Sequence, residues 1–439
     1  MMMCRVPSVA RVLLVALGSL LTPCVVQAYS TPLEVSPMVG KTYKTGARIW
    51  VGTRDTFGDV STETLTLRVR KESACETCWV SSSEMSKVGT GSGYRSWKGT
   101  ASNLVPGTRY VYRIFAAGYS GERGGSTFST EPEAPMKFKV GVSSCMNAEN
   151  TPAQPSFAIM HEQLNTGLGN FHMLIGDNMY TNQNPPTKDH FWYKYMQQRR
   201  VPEFALVYRN FPTFALWDDH DYGPNDEDGS YSQKDVAREA FESLWAHPDF
   251  PGAGIYHQFN WGGDVNGVGG VEFFMMDDRW SRDCPKNMST DYPAKMYGLT
   301  QFDWLRNGLL ASQATFKVIV NGSTLGNKCW GNQQQQLFNF IVNNKVGGVF
   351  FVTGDIHQSK VTQRTPVGGY PLWEVISSGI GQTSGLTPEY SFAILNFDLT
   401  LADPTVTFQV IQNPKKSSTL SGAGVSSTLT TVKRSQLQN

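Results

Sequence analysis

The stretch TFALWDDHDYGPND, residues 213–226, joins an apolar run to a cluster of acidic side chains. The run TFALW has the composition of a buried strand, and His220 stands among four aspartates directly after it. The four are Asp218, Asp219, Asp221 and Asp226. Carboxylates this close in sequence repel one another unless water or a cation neutralises them. The stretch therefore predicts either a solvated acidic loop or one part of a metal site.

Four other apolar runs end in residues that can bind a metal or a phosphate. They are KFKVGV (137–142) before SSCMN, FHMLI (171–175) before GDNMY, FKVIV (316–320) before NGST and VFFVT (349–353) before GDIHQ. Helical patterns such as residues 231–248 alternate with these runs, which predicts a layered α/β domain. In α/β sheets, sites assemble at the carboxyl ends of the strands. One such junction is ordinary loop chemistry, but five together favour a shared site.

Composition and charge exclude several classes of partner. The chain has 439 residues, of which 40% are hydrophobic and 17% charged, and its formal net charge is +1. This is a globular composition, long enough for more than one domain. The small net charge gives no sign of a polyanionic partner, and no basic stripe indicates a nucleic-acid-binding module. No run is long enough to predict a transmembrane segment.

The two ends of the chain differ from its globular middle. VLLVALGSLL (12–21) is a short apolar core, and VQA (26–28) supplies small residues for cleavage after Ala28, so residues 1–28 are predicted to be a secretory signal peptide. An uncleaved anchor is the alternative, but the run is short for a bilayer. We therefore expect a secreted, extracellular protein, or one in the periplasm or at the cell surface. The Ser/Thr/Lys-rich end, residues 413–439, is predicted to be a disordered tail.

Residues 29–132 are predicted to form a β-sandwich. ARIWVGT (47–53) and LTLRVR (65–70) alternate with the period of two that half-buried strands show. LVPGTRYVYRIFAA (104–117) joins a Pro-Gly turn to a Tyr-rich strand, as in the tyrosine corner of immunoglobulin-like sandwiches. EPEAP (131–135) then reads as a linker to the α/β domain.

Five cysteines remain beyond the predicted signal peptide. An oxidising compartment favours their pairing, and the odd number leaves one free or as a ligand. Cys75 and Cys78, in CETC, are expected to form a local disulfide, and Cys284 could pair with Cys329. Cys145, in GVSSCMN, would then be the odd one. Spacing alone does not establish this connectivity.

Three motifs in this order resemble the metallophosphoesterase superfamily, and more closely its PhoD-like alkaline phosphatases. They are GD-x-x-Y (176–180), the Asp-His-Asp loop (219–221) and GD-x-H (354–357). MMDDRWSRD (275–283) resembles that family's Asp-x-Arg-x-x-Arg segment, and residues 297–322 are similar to its Gln-x-x-Trp-Leu helix and following strand. The resemblance covers most of the chain beyond the predicted signal peptide.

The resemblance implies both a fold and an activity. The fold is α+β/α/β, with an immunoglobulin/fibronectin-like β-sandwich followed by a four-layer α/β/β/α metallophosphoesterase domain over residues 136–412. The activity is that of a secreted, metal-dependent alkaline phosphatase, expected to be a monomer, which hydrolyses small phosphate monoesters, diesters or both with a metal-bound hydroxide. Two alternatives stay open. One is a phospholipase-type phosphodiesterase acting on lipid headgroups, and the other is a non-catalytic, metal-stabilised binding protein.

The resemblance also implies the residues of two metal sites that share the bridging carboxylate of Asp177. The first site would take Cys145, Asp177, Tyr180 and His357. The second site would take Asp177, Asp219 and Asp355. Tyr180 matches the phenolate that binds ferric iron in purple acid phosphatases, and anionic phenolate, thiolate and carboxylate donors suit Fe³⁺. An all-oxygen second site suits Ca²⁺ or another hard divalent metal.

Four further residues receive roles. His220 matches the superfamily histidine that contacts the phosphate and the leaving group, so His220, with Asp219 beside it, is predicted to act in catalysis. Asn321, near the family's fourth motif, and Arg209, which could reach a phosphate or pair with an acid, are candidate substrate-binding residues. Asp221 is predicted to orient its neighbours rather than to bind metal.

Overall fold

The computed structural model describes residues 33, 35–54, 64–118, 121–181, 183–247, 249–364, 370–383, 389–414 and 416–438. The predicted signal peptide, residues 1–28, lies outside the described residues. Over those ranges, none of the helices combines the length and the hydropathy that crossing a membrane requires.

The first eight strands form two four-stranded antiparallel sheets. The strands are β1 (Met38–Tyr43), β2 (Gly46–Arg54), β3 (Leu65–Lys71), β4 (Ser81–Glu84), β5 (Ser86–Gly91), β6 (Tyr94–Ala101), β7 (Arg109–Ala116) and β8 (Glu122–Ser129). The sheet orders are β1-β2-β6-β5 and β4-β3-β7-β8, and alternate residues such as Ile49, Leu67 and Ile114 fill a core of their own. The Tyr110 hydroxyl accepts a hydrogen bond from the Val105 N–H (2.8 Å), which ties β7 to the turn before it. The assignment of this unit to the immunoglobulin or fibronectin type stays a prediction.

The rest of the chain builds two six-stranded mixed sheets. The strands are β9 (Lys137–Ser143), β10 (Phe171–Ile175), β11 (Thr213–Leu216), β12 (His257–Trp261), β13 (Val271–Met275), β14 (Phe316–Val320), β15 (Val349–Thr353), β16 (Lys360–Arg364), β17 (Leu372–Ile376), β18 (Tyr390–Asp398), β19 (Thr405–Asn413) and β20 (Ser426–Lys433). The orders are β11-β10-β9-β18-β19-β20 and β12-β13-β14-β15-β17-β16. Strands β9 to β11 are mutually parallel, and so are β13, β14, β15 and β17.

The two large sheets pack face to face. Phe397 of β18 lies with its ring centroid 6.2 Å from Phe273 of β13 and 5.7 Å from Phe316 of β14. The parallel strands β10, β11, β13, β14 and β15 are buried along their whole length, which explains why their sequences are continuous apolar runs rather than alternating ones.

Helices connect the strands, and some of them cover the outer faces of the two large sheets. They are α1 (Ser156–Leu164), α2 (Lys188–Arg199), α3 (Pro202–Tyr208), α4 (Asp219–Tyr222), α5 (Lys234–Leu244), α6 (Leu299–Ala311) and α7 (Gln333–Asn343). On one side, α1 packs on β9 at Gly141, where a Cβ would lie 2.8 Å from the sulfur of Met160. On the other side, Trp304 of α6 contacts Phe274 of β13 (ring centroids 5.9 Å apart), and α7 packs on β15. Mixed sheets between helices fit the predicted metallophosphoesterase-type architecture.

The predicted disordered tail is wrong for most of its length. Strand β20 pairs antiparallel with β19 from Lys433, opposite Thr405, to Ser426, opposite Gln412. Val432 and Leu437 are buried in the main core. The polar composition of the segment suits an edge strand, and the unpaired edge of β19 supplies its hydrogen-bond partners. Composition alone does not reveal that partner, because it is distant in the final architecture.

The β-sandwich and the α/β domain share a close interface. Gly40 of β1 lies against Ala246, where a Cβ would come within 2.0 Å of the Ala246 carbonyl oxygen. The Trp50 indole N–H donates to the Ser243 carbonyl (3.1 Å). The Arg199 guanidinium lies 4.1 Å from the centroid of the Trp50 ring, and both side chains are fully buried.

Both predicted disulfides are present. Cys75 pairs with Cys78 in the connection between β3 and β4, and Cys284 pairs with Cys329. Among the cysteines that the structure describes, Cys145 is free and buried, as predicted.

Candidate metal centre

The carboxyl ends of four parallel strands carry the candidate ligands. Cys145 follows β9, Asp177 and Tyr180 follow β10, Asp219 follows β11, and His357 follows β15. Strands β9, β10 and β11 are neighbours in one sheet and β15 lies in the other, so the site forms where the carboxyl ends of the two packed sheets meet.

The four side chains predicted for the first metal site are contiguous. The donor atoms of Cys145, Asp177 and His357 all lie within 4.8 Å of one another. The Tyr180 hydroxyl donates to Asp177 Oδ2 (3.0 Å) and lies 3.1 Å from His357 Nε2. Cys145 Sγ is 3.5 Å from the same Asp177 oxygen. The thiol, phenol and imidazole groups therefore lie together beside the Asp177 carboxylate.

A second group contains Asp177, Asp219 and His220, whose donor atoms also lie within 4.8 Å of one another. The His220 N–H donates to Asp177 Oδ1 (3.3 Å) and to Asp219 Oδ1 (3.0 Å). Asp355, which the sequence assigns to this site, is half-buried and falls outside the group. A ring nitrogen of His220 stands in the group instead, so the structure differs from the predicted ligand set at this position.

Backbone strain is concentrated at these residues. Cys145, Asp177, Asp355 and His357 have φ angles of 59°, 51°, 78° and 53°. This left-handed region is uncommon for residues other than glycine. Such strain costs about 1–3 kcal/mol per residue and persists only where the surrounding structure holds it, as it often does at functional sites.

The electrostatics of the cluster fit a bound cation. Burial, followed by the charges of Cys145 and Asp219, raises the pKa of Asp177 well above its ordinary value. Burial also raises the pKa of Cys145 to about 11, and burial with the charge of Asp219 raises the pKa of Asp355 to about 6. His220 Nδ1 is buried and has no hydrogen-bond partner within the described residues. A cation among these groups would favour their ionised forms and give the orphaned nitrogen a partner.

Arg279 is a charged residue of the site to which the sequence analysis assigns no role. It is fully buried, and its Nε lies 2.5 Å from Asp218 Oδ1 and 3.9 Å from Asp278 Oδ1. Its Nη2 lies 3.9 Å from Asp219 Oδ1. Burial alone would raise the pKa of Asp219, but Arg279, with the nearby His220, outweighs burial and lowers it. Arg279 therefore keeps Asp219 ionised and available as a ligand.

A second buried arginine, Arg282, shares hydrogen-bond partners with Arg279. Arg282 Nη2 lies 3.4 Å from Asp278 Oδ2, and both arginines donate to Ser323 Oγ, at 3.2 Å from Arg279 and 2.6 Å from Arg282. The sequence signal for this network is the Asp-Asp-Arg-x-x-Arg segment after β13, where acids and bases alternate directly after a buried strand.

Two further polar residues hold the ligand loops together. Asp221 accepts hydrogen bonds from the Asn178 N–H (3.1 Å), the Asp218 N–H (3.2 Å) and the Tyr195 hydroxyl (2.8 Å), so it joins the loops after β10 and β11. Ser378, after β17, has its Oγ 3.1 Å from Cys145 Sγ and accepts from the His357 N–H (2.8 Å). The signal for Ser378 is a sixth buried strand that ends in polar residues, ISSG.

The structure does not support the two candidate substrate contacts. Asn321 is completely buried, and its amide is occupied by the Tyr297 hydroxyl (2.8 Å), the Ser323 carbonyl (2.7 Å) and Asp278 (3.3 Å). Arg209 precedes β11, whereas the metal centre follows that strand, so the two lie at opposite ends of it. The Arg209 carbonyl accepts from the Tyr112 hydroxyl (2.9 Å) at the sandwich interface. Both assignments fail because sequence proximity to a motif does not give side-chain direction.

The fold resembles solved phosphatase structures. A structure of PhoD has a TM-score of 0.75 at 16% identity, with 92% of this chain and 91% of that chain covered. The purple acid phosphatase PPD1 from yellow lupin (Lupinus luteus) seeds has a TM-score of 0.59 at 9% identity, with 87% and 73% covered. At these identities the likeness concerns the fold alone.

Sequence comparison identifies the family. A family model described as PhoD-like phosphatase matches residues 142–416, and the chain belongs to this family. Alkaline phosphatase D of Bacillus subtilis (strain 168) is 22% identical over 242 residues, which cover 44% of this chain. The match spans 40% of the length of that curated relative.

Proposed function

We propose that this protein hydrolyses phosphate esters, monoesters or diesters, at a two-metal centre built around Asp177. Membership of the PhoD-like phosphatases supports phosphoester hydrolysis. The observation that carries the proposal is that Asp177 belongs to both groups of candidate ligands, one with Cys145 and His357 and one with Asp219 and His220. A carboxylate shared by two donor sets is what a bridged two-metal phosphatase site requires.

Each residue has a defined part in this proposal. Cys145, Tyr180 and His357 would hold one cation together with Asp177, and Asp219, with Asp355, would hold the other. Metals bound there would act as Lewis acids and lower the pKa of a bound water. The half-buried His220 donates a proton from a ring nitrogen to the departing alcohol oxygen, or stabilises the charge that develops on it.

We further propose Fe³⁺ for the first site and Ca²⁺ for the second. The thiol, phenol and carboxyl groups of the first site all become anionic donors on losing a proton, which suits a trivalent ion. The carboxylates of the second site are hard oxygen donors, which suit calcium. The two disulfides support folding in an oxidising compartment and therefore secretion.

The test is Asp177→Asn, assayed with 4-nitrophenyl phosphate and bis(4-nitrophenyl) phosphate alongside elemental analysis for iron and calcium. Removing the shared charge should lower both metal contents and reduce hydrolysis by at least about 100-fold, because the metal effect is worth several kcal/mol. The control is Asp303→Asn, which removes a half-exposed carboxylate on α6 that pairs with Arg306. A wild-type protein that hydrolyses neither ester, or an active Asp177→Asn variant, would contradict the proposal.

A further inference from the structure

Two cavities share one lining residue, and one of them reaches the candidate metal centre. The first, of about 350 Å³, is lined by Asp355, Lys360 and Arg364, among others. The second, of about 370 Å³, is lined by Arg282, Lys286 and Lys328, among others. Asn327 lines both, so the two cavities adjoin, and we call the two together the groove.

Most charged groups of this groove already have a partner. Arg364 Nε lies 3.2 Å from Glu374 Oε2, and Lys286 Nζ lies 2.6 Å from Glu227 Oε1. Arg282 pairs with Asp278 as described above. Besides Asp355 and Glu374, the acidic residue that lines the groove is Asp226, whose Oδ2 accepts from the Asn225 side chain (2.8 Å).

Lys328 and Lys360 are different. Both are exposed, and neither has an ion pair or a hydrogen bond from its side chain to any residue in the described ranges. They stand on the two sides of Asn327, one in each cavity. The groove therefore presents two uncompensated ammonium groups, and the cavity that contains Lys360 is also lined by Asp355 of the candidate metal centre.

The backbone positions of both lysines are fixed. Lys328 opens the short 3₁₀ helix Lys328–Trp330, in which the Asn327 side chain accepts from the Cys329 N–H (3.0 Å). The disulfide from Cys329 to Cys284 holds this turn against the loop that carries Lys286. Lys360 is the first residue of β16 and is paired with Ile376 of β17. Charges on fixed positions bind an anion at a lower entropic cost than charges on mobile loops.

We propose that this groove binds a second phosphate group, carried by the alcohol part of the substrate, so that the preferred substrates are bisphosphates. The inference rests on the proposed function, because the scissile phosphate must occupy the metal centre. In a monoester, the alcohol is then the part that can extend into the groove. A phosphate monoester carries a charge of about −1.5 to −2 near pH 7, which matches two free ammonium groups. A neutral alcohol leaves both lysines without a partner.

The experiment compares α,ω-alkanediol bisphosphates of two to six carbons with the alkyl monophosphates of equal length. The wild-type protein should show a kcat/KM at least about 10-fold higher for the best bisphosphate, with an optimum at one chain length, and the preference should shrink at high salt. The double variant Lys328→Gln/Lys360→Gln should lower this ratio to near one while the alkyl phosphates react as before. Lys87→Gln, an exposed lysine on β5, is the matched control and should keep the wild-type ratio.

A binding measurement separates the two proposals. Propane-1,3-bisphosphonate and propylphosphonate have no hydrolysable ester bond, and calorimetry should show tighter binding of the bisphosphonate to the wild type but not to the double variant. Failure to hydrolyse any ester would contradict the proposed function. The binding of the bisphosphonate would still show whether the groove binds a second phosphate group. Hydrolysis of alkyl phosphates with no bisphosphate preference, or a preference that survives the double substitution, would overturn the groove assignment.

Discussion

At the residue scale, His220 occupies a position that allows two roles. Its ring lies 4.1 Å from the ring of Tyr180, and one of its nitrogens belongs to the second donor group. If His220 acts on the leaving group, His220→Ala should lower the rate by roughly 10²–10⁴-fold. Metal content should stay near that of the wild type, and the loss should be smaller for nitrophenyl esters, whose leaving groups need little protonation. Loss of one metal in elemental analysis would instead make His220 a ligand.

Tyr180 can be tested by colour as well as by activity. Its hydroxyl lies 3.0 Å from Asp177 Oδ2 and 3.1 Å from His357 Nε2, among the donors proposed for ferric iron. A phenolate on Fe³⁺ gives a ligand-to-metal charge-transfer band, so Tyr180→Phe should bleach or shift the visible absorption of the purified protein. Tyr193→Phe, a half-exposed tyrosine on α2, is the control and should leave the spectrum unchanged. A colourless wild-type protein that contains only zinc would refute the iron assignment.

At the element scale, the pairing of β9 with β10 buries a histidine that should stay neutral. His172 of β10 is fully buried, its Nε2 lies 2.8 Å from Ser143 Oγ, and burial lowers its pKa to about 3. The unfolded chain binds this proton near pH 6.5 and the folded chain does not. His172 therefore contributes stability that is present above pH 6.5 and is lost as the pH falls toward 3, by up to about 1.4 kcal/mol per pH unit.

The matching experiment uses His172→Gln, which stays neutral and can still reach Ser143. Its free energy of unfolding, measured by urea denaturation, should fall less steeply than that of the wild type between pH 6.5 and 4. Taking the difference between the two proteins at each pH removes the contribution of the shared carboxylates. A difference that does not change with pH would show that His172 is not the group responsible.

At the scale of the whole molecule, the sandwich and the α/β domain are joined through Trp50. Its indole donates to Ser96 Oγ (2.5 Å) and to the Ser243 carbonyl (3.1 Å), and its ring faces Arg199. Because Arg199 also lies 4.7 Å from the Trp245 ring, one buried cation lies between aromatic rings of the two domains. Loss of Trp50 leaves a cavity and exposes one face of this cation.

Trp50→Ala should therefore lower the free energy of unfolding by roughly 3–5 kcal/mol and divide thermal unfolding into two transitions. Differential scanning calorimetry measures both effects. Trp79→Ala is the matched control, because Trp79 is half-buried and packs on Phe115 within the sandwich. Trp79→Ala should lower the free energy of unfolding by less than Trp50→Ala does, and the variant should keep a single thermal transition. A single, unshifted transition in Trp50→Ala would mean that the domains are coupled elsewhere.

The sequence by itself determined the features that depend on local pattern. Continuous apolar runs predicted the buried parallel strands. The polar residues that follow these runs predicted the site where Cys145, Asp177 and His357 meet. The odd number of cysteines predicted that one would be unpaired, and the structure shows that it is Cys145. These inferences hold because strand burial and the chemistry of the following loop both depend on residues that are neighbours in the chain.

Only the tertiary structure decided what depends on distant partners. It placed Arg209 at the wrong end of β11, buried Asn321 in a hydrogen-bond network, and paired β20 with the free edge of β19. It also showed that Arg279 compensates Asp218 and Asp219, which lie about sixty positions away in the chain. The direction of a side chain and the charge around it depend on which elements pack together. That packing is the result of many weak contacts between residues from the whole chain, and no short motif contains them.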